Sequence, residues 1–181
     1  MRAAVIYESV FGNTHRIAAL IADQLAEHGD VALLTPEEAG PERLEDLDLV
    51  VVGGPTHAHG MAWPSSKEQG AHDAQEAAAQ GKAAHELDED AFGETLREWF
   101  KQLPSIGRAH RCAAFDTRFD GPAALTGRAS KGIAHRLRTH GWKLLVEPES
   151  FLVDKENELV TGEVERAIAW GDALAAALAA E

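Results

Sequence analysis

A polar turn after the first apolar run of the chain has residue types that suit phosphate binding. The run Ala3–Tyr7 is closely followed by the turn Ser9–Thr14, which contains hydroxyl, amide and glycine residues but no lysine. Helical apolar spacing begins directly after the turn, so unpaired N–H groups at a helix start would face a ligand there. We interpret the turn as a neutral phosphate cradle. Simple helix capping by Asn13 or Thr14 is the alternative.

Two further turns follow apolar runs and also contain residues that can do chemistry. The turn Gly53–Met61 includes His57 and His59, and the turn Asp116–Gly121 combines acid, hydroxyl, cation and aromatic residues. Alternate histidines can ligate zinc, but such sites normally need three ligands and no nearby residue supplies the third, so we predict no metal site. An Asx-type turn in which Arg118 pairs with an acid is the alternative for the last turn.

Apolar runs alternate with helical stripes along the chain, which is typical of α/β proteins. Continuous apolar runs such as Leu49–Val52 are typical of parallel strands that helices cover on both faces. The chain therefore predicts a doubly wound, five-stranded parallel sheet, in which ligands bind beyond the carboxyl ends of the strands. The predicted strands are Ala3–Tyr7, Val31–Leu34, Leu49–Val52, Arg111–Phe115 and a fifth that begins at Lys143–Val146 and resumes at Phe151–Val153.

One polar stretch interrupts this alternation. Residues 64–90 are rich in Ala, Gln, Glu, Lys and His and contain almost nothing to bury. We expect a single domain over residues 1–181 with an insertion at about 64–90 after the third strand, in which Gly70 and Gly81 interrupt any helix. The insertion is either a lid or interface element or a plain solvated loop.

Charge and cysteine content narrow the classes of function. The chain has 17 basic and 30 acidic residues and a net charge of -13, which excludes a nucleic-acid binder and disfavours an anionic membrane. The acidic surface suits a basic protein partner, or simply solubility. The single Cys112 excludes an intrachain disulfide, and we expect it to pack in the fourth strand. No run reaches the about 20 apolar residues of a membrane helix, so we expect a cytoplasmic protein.

The stretch Val5–Ala18, VIYESVFGNTHRIA, closely resembles the N-terminal signature of flavodoxins. The order of elements resembles that family over nearly the whole chain, apart from the insertion. The resemblance implies a flavodoxin-like sheet of strand order 2-1-3-4-5 with helices on both faces and non-covalently bound FMN. The turn Gly53–Met61 is similar to the Gly-x-Pro-Thr-x-x-x-Gly loop that lines the isoalloxazine ring in flavoproteins of this superfamily. Trp63, close by, is either a ring-stacking residue or an anchor of the insertion.

The resemblance assigns three groups of residues to the cofactor. The first turn would hold the phosphate, and the other two turns would flank the ring. These residues are Ser9, Val10, Phe11, Gly12, Asn13 and Thr14, then Pro55, Thr56, His57, Ala58, His59 and Gly60, and finally Asp116, Thr117, Arg118 and Phe119.

Three functions follow from these features. The leading hypothesis is an FMN-binding protein that transfers electrons to or from a redox partner protein. The second is an FMN-dependent NAD(P)H or quinone-type reductase, because a cation such as Arg118 beside the ring would favour two-electron chemistry. The third is a flavodoxin-shaped module that no longer binds flavin.

Overall fold

A mainly parallel sheet lies at the centre of the computed structural model, which describes residues 1–57, 59–81, 86–104 and 110–181. The strands are β1 (Arg2–Tyr7), β2 (Asp30–Leu34), β3 (Leu49–His57), β4 (Gly60–Met61), β5 (Arg111–Phe119), β6 (Lys143–Leu144) and β7 (Glu149–Val153). The helices are α1 (Asn13–Ala26), α2 (Pro41–Leu44), α3 (Pro64–Ala79), α4 (Leu96–Gln102), α5 (Ala123–Thr126), α6 (Ala129–Thr139) and α7 (Glu163–Ala179). No described helix has both the length and the apolar content to span a membrane.

The strand order is β2-β1-β3-β5, with both β6 and β7 paired to β5. The predicted α/β class with a parallel sheet is confirmed, but the described sheet has seven strands rather than five. The fifth position is divided between β6 and β7, since the chain passes Pro148, which has no N–H to donate, between the two strands. The other added strand, β4, pairs antiparallel with the end of β3.

Strands β3 and β5 both continue past their predicted ends. Their parallel ladder extends through the pairs Gly54–Asp116 and Pro55–Thr117, so several residues predicted to lie in turns have extended backbone. Pairing satisfies backbone N–H and C=O groups whatever the polarity of the side chains. For this reason the ladder is longer than the apolar runs that predicted it.

Helices cover both faces of the sheet, as predicted. Side chains of β1 alternate between the faces: Val5 belongs to the core that contains Ile17 of α1 and Leu174 of α7, and Ile6 belongs to the core on the other side, which contains Phe100 of α4. Burial of each such large aliphatic side chain is worth about 1.5–3 kcal/mol. Two separate cores, one on each face, thus hold the strands in place.

Cys112, as predicted, and three tryptophans are core residues. Cys112 is fully buried in β5, and burial raises the pKa of its thiol to about 12. Trp99 and Trp142 are buried in one core, and Trp170 packs at the edge of the other. The thiol is therefore a packing group rather than a nucleophile at neutral pH.

Helix α3 occupies most of the predicted insertion and does not break at Gly70. The expected interruption is wrong there, because one glycine costs a helix only about 0.5–1 kcal/mol relative to alanine and α3 is rich in alanine. The helix ends just before Gly81, whose φ of 67° is left-handed. Only Lys67 and Ala71 of α3 are buried.

Two glycine substitutions compare a tightly packed position in the sheet with an open position in α3. A Cβ atom at Gly53 would lie 2.0 Å from the Phe115 ring, whereas one at Gly70 would meet nothing within 4 Å. We expect Gly53→Ala to lower the free energy of unfolding by about 1–3 kcal/mol through overpacking. Gly70→Ala, the matched control, should raise it by about 0.5–1 kcal/mol through helix propensity. Urea unfolding measures both, and an unaltered Gly53→Ala protein would contradict the close packing.

Candidate functional site

The segments at the carboxyl ends of β1, β3 and β5 line a common cleft of about 430 Å³. This volume lies within the range of about 300–1,000 Å³ that is usual for cofactor sites. Parallel strands place their carboxyl ends at one edge of a sheet, so segments far apart in sequence meet there. Twelve of the sixteen predicted cofactor residues line the cleft: Ser9, Val10, Phe11, Asn13, Thr14, Pro55, Thr56, His57, His59, Thr117, Arg118 and Phe119.

The other four predicted residues do not line the described cleft. Gly12 and Gly60 lie in the bordering segments without lining it, and Ala58 lies outside the described residues. Asp116 is fully buried, and its Oδ2 accepts a hydrogen bond from the Ser130 N–H at 2.7 Å. Because β5 continues through Asp116, alternation of side chains turns this carboxylate towards the start of α6 and away from the cleft.

Four further cleft residues are not identified by sequence reasoning. Leu125 and Thr126 come from α5, Val153 ends β7, and Asn157 lies in the turn after β7. The rule that ligands bind beyond the carboxyl ends of strands applies equally to the fifth strand position, and it could have indicated the last two. No local pattern marks the two residues of α5, which enter the cleft through the path of the chain after β5.

Helix α1 starts at the cleft without a side-chain cap. Its N-cap residue, Gly12, has a left-handed φ of 84°, and no hydrogen bond from a side chain caps the described helix, which argues against simple capping by Asn13 or Thr14. Ser9 Oγ accepts a hydrogen bond from the Gly12 N–H at 3.1 Å and retains its own proton for donation. Asn13 Nδ2 donates to the Asn157 carbonyl at 2.6 Å, which uses one of its two amide protons. The turn therefore offers neutral donors at a helix N-terminus.

Arg118 is the permanently charged residue among the described residues that line the cleft. Its Nη1 donates to the carbonyls of Phe119 at 3.2 Å and Gly121 at 2.8 Å, and to Thr126 Oγ1 at 3.0 Å. The expected alternative, an ion pair with an acid, is therefore absent among the described residues. Its Nε is buried and has no hydrogen-bond partner in the described part of the chain. The guanidinium charge therefore has no acidic partner in the described part of the chain.

The remaining polar and aromatic groups near the cleft have distinct surroundings. Burial lowers the pKa of His57, which favours its neutral form at neutral pH. His59 has a positive φ of 73° and forms an isolated parallel bridge with Gly127. Trp63 does not line the cleft: it precedes α3, and the Arg97 guanidinium lies 3.9 Å from its ring centroid. This placement supports the anchor interpretation of Trp63.

A second polar cluster attaches the segment after α3 to the first turn. His15 Nδ1 lies 3.1 Å from Asp88 Oδ2, and the Asp88 N–H donates to the Val10 carbonyl at 2.9 Å. The Tyr7 hydroxyl donates to Asp90 Oδ2 at 2.9 Å, and burial with this bond raises the pKa of Tyr7. The ligating atoms of the histidine and the two aspartates lie within 4.8 Å of one another, and hydrogen bonds account for the arrangement. This part of the predicted insertion is thus packed rather than plainly solvated.

A hydroxyl pair connects the first and third segments and can be tested by a double-mutant cycle. Thr14 Oγ1 and Thr117 Oγ1 lie 2.7 Å apart and are buried. We expect Thr14→Val and Thr117→Val each to lower the free energy of unfolding by about 1–3 kcal/mol, because each leaves one buried hydroxyl unpaired. The double variant should lose less than the sum of the two changes. Strictly additive losses, measured by urea unfolding, would show that the pair is not coupled.

Comparisons with known proteins agree with this fold. A family model described as flavodoxin domain matches residues 4–65. No curated protein sequence matches the chain. Among solved structures, oxidised flavodoxin 1 from Bacillus cereus is 16% identical with a TM-score of 0.65, covering 100% of this chain and 99% of that one. A flavodoxin from the domain Archaea is 18% identical with a TM-score of 0.63, covering 99% of each chain.

A third solved structure, two-electron reduced flavodoxin from Megasphaera elsdenii, is 16% identical with a TM-score of 0.59 and covers 96% of this chain and 98% of that one. At these identities the structural matches show the fold alone. The family model matches the part of the sequence that contains the first turn and the first three strands. Together with the sheet and the cleft, they show a flavodoxin-like fold, and the match to the flavodoxin-domain family model covers residues 4–65.

Proposed function

We propose that the protein binds FMN non-covalently in the cleft and transfers electrons through it. The observation that carries the proposal is that one cleft combines an uncapped helix N-terminus with an exposed aromatic side chain and an arginine that has no acidic partner among the described residues. The helix N-terminus can bind a phosphate, the aromatic side chain can stack on a flat ring, and the arginine can lie beside an electron-rich ring edge. The flavin, when bound, would supply the redox chemistry, and the protein would hold it and set its potential.

The first turn would hold the phosphate through neutral donors. Ser9 has a free hydroxyl proton, Asn13 has a second amide proton, and the first turn of α1 presents backbone N–H groups. A dianionic phosphate is stabilised by such donors and by the positive end of the helix dipole without a lysine. Thr14 and Thr117 would act indirectly, since their hydroxyls bond to each other.

The other two segments would flank the ring, as the sequence predicts for Pro55–Gly60, including the undescribed Ala58. Phe119 is 56% exposed and lines the cleft, so it offers a free aromatic face for stacking. The Arg118 guanidinium would place a positive charge beside the ring, and the neutral His57 would contribute no charge at neutral pH. With a net charge of -13, a basic redox protein is the partner that long-range electrostatics favour.

Comparison of FMN with riboflavin tests the phosphate site. We expect FMN to bind at least about tenfold more tightly than riboflavin, because only FMN uses the charge-assisted hydrogen bonds of the first turn. Ser9→Ala should weaken FMN binding and leave riboflavin binding unchanged, which makes riboflavin an internal control for the fold. Quenching of flavin fluorescence on titration measures both affinities. Failure of FMN to bind at saturating concentration would support the flavin-free module instead.

A second candidate function, an FMN-dependent reductase, is favoured by the arginine in the cleft. A cation at the ring stabilises the anionic reduced state and so favours hydride transfer from a nicotinamide. Arg118→Met should then slow anaerobic bleaching of the FMN-loaded protein by NADPH at least about tenfold, while FMN remains bound. If NADPH does not bleach the wild-type flavin but dithionite does, the protein is an electron carrier.

A further inference from the structure

A carboxyl group without a full set of partners is buried directly behind the cleft. Glu8, between β1 and the first turn, is only 1% exposed. Its Oε2 accepts a hydrogen bond from the Leu96 N–H at 2.9 Å, whereas its Oε1 is buried with no hydrogen-bond partner among the described residues. Burial of a half-satisfied carboxylate costs several kcal/mol unless a charge or a proton compensates.

A buried lysine from α3 lies near this carboxyl group. Lys67 is 3% exposed, and its Nζ donates to the carbonyls of Gly93 at 2.8 Å and Glu94 at 3.5 Å. An ammonium group has three donors, so one remains for another acceptor. Lys67 and Glu8 line the same small cavity of about 10 Å³, which is near the size of one water molecule.

Charged groups face Glu8 from every element packed around it. Arg97 and Glu98 come from α4, and Lys67 comes from α3. Three acids, Glu37, Asp90 and Glu94, line the cavity that Glu8 and Lys67 share. The hydroxyl of Tyr7, the residue before Glu8, donates to Asp90. Burial is the largest influence and raises the pKa of Glu8 to about 7, against the lowering effects of the Leu96 N–H and Lys67. Burial also lowers the pKa of Lys67, and the charge of Glu8 is the largest influence opposing it.

Glu8 adjoins two of the three segments that form the cleft. The next residue, Ser9, lines the cleft, and the Glu8 N–H donates to the Gly53 carbonyl at 3.0 Å. A Cβ atom at Gly54 would lie 3.8 Å from Glu8 Cβ, and Pro55, which follows, lines the cleft. Because this region is buried, a charge on Glu8 acts on the cleft with little screening by solvent.

We propose that Glu8, which shares a buried cavity with Lys67, exchanges one proton with solvent and so makes the reduction potential of FMN bound in the cleft depend on pH near neutrality. The inference rests on the proposed FMN function and concerns a residue outside the set assigned to the cofactor. The negative charge of an ionised Glu8 would oppose the addition of an electron to FMN bound in the cleft, whereas a protonated Glu8 is neutral and would not. By linkage, reduction of the flavin would also promote proton uptake by Glu8.

The reduction potential of the FMN-loaded full chain, measured from pH 5.5 to pH 8.5, tests this directly. We expect wild type and Glu8→Gln to have equal potentials at pH 5.5 and to diverge above pH 7, with Glu8→Gln higher. Proton uptake by the flavin itself is common to both proteins and cancels in the comparison. The matched control is Glu68→Gln, which removes an exposed carboxylate next to Lys67 on α3 and should follow wild type throughout. Parallel curves for wild type and Glu8→Gln, with FMN bound, would overturn the inference alone.

A second measurement does not depend on flavin. Carbon-13 NMR of carboxyl-labelled glutamates in the flavin-free protein should show one signal, absent in Glu8→Gln, that titrates near neutrality. Lys67→Met should move this titration to higher pH and, in the loaded protein, should move the divergence from Glu8→Gln in the same direction. A Glu8 signal that titrates with the exposed glutamates would overturn the inference whether or not FMN binds. Failure of FMN binding with a Glu8 signal near neutrality would overturn the proposed function, and with it the role of Glu8 in setting a potential.

Discussion

Backbone pairing of β3 with β1 on one side and β5 on the other determines where the cleft lies. The register places Tyr7, the last residue of β1, beside Gly53 and Phe115, and β3 and β5 continue past this level along the cleft. The Phe115 ring occupies the space where a side chain on Gly53 would stand. The glycine that sequence analysis connects with a cofactor ring is therefore a packing requirement of the sheet. Core packing and cleft position depend on the same contact.

The segment after α3 supports the first turn from behind. Val10 packs with Ala71 and Ala91, and the chain around Asp88 bonds to the backbone of the turn. A turn that begins a helix with a left-handed glycine has few local contacts of its own to hold its shape. The predicted insertion supplies these contacts, so its residues bear on the cleft although they lie outside it. We infer that the order of the turn and the packing of α3 are coupled.

Polar atoms without partners are concentrated around the cleft. Among the described residues, five buried side-chain atoms have no hydrogen-bond partner, and three of them belong to Glu8, Asp116 and Arg118; the other two belong to Ser130 and Trp142. Buried polar groups are satisfied in most proteins, so their clustering here has a physical meaning. Arg118 faces the cleft itself, whereas Glu8 and Asp116 lie behind the segments that line it. The carboxyl groups behind the cleft can act on a ligand only through their charge, whereas the groups that line the cleft can contact it.

Sequence patterns alone determined the class of fold and most of the cleft. Apolar runs and helical stripes report which side chains are buried, and parallel strands bring their carboxyl ends together, so Ser9–Thr14 and Thr117–Phe119 could be predicted to meet. Only the tertiary structure decided the lengths of β3 and β5, the inward direction of Asp116, and the entry of Leu125 and Asn157 into the cleft. It also decided the burial of Glu8 beside Lys67, 59 positions along the chain. These features depend on pairing and packing between segments that are distant in sequence, and local patterns of polarity do not predict such contacts.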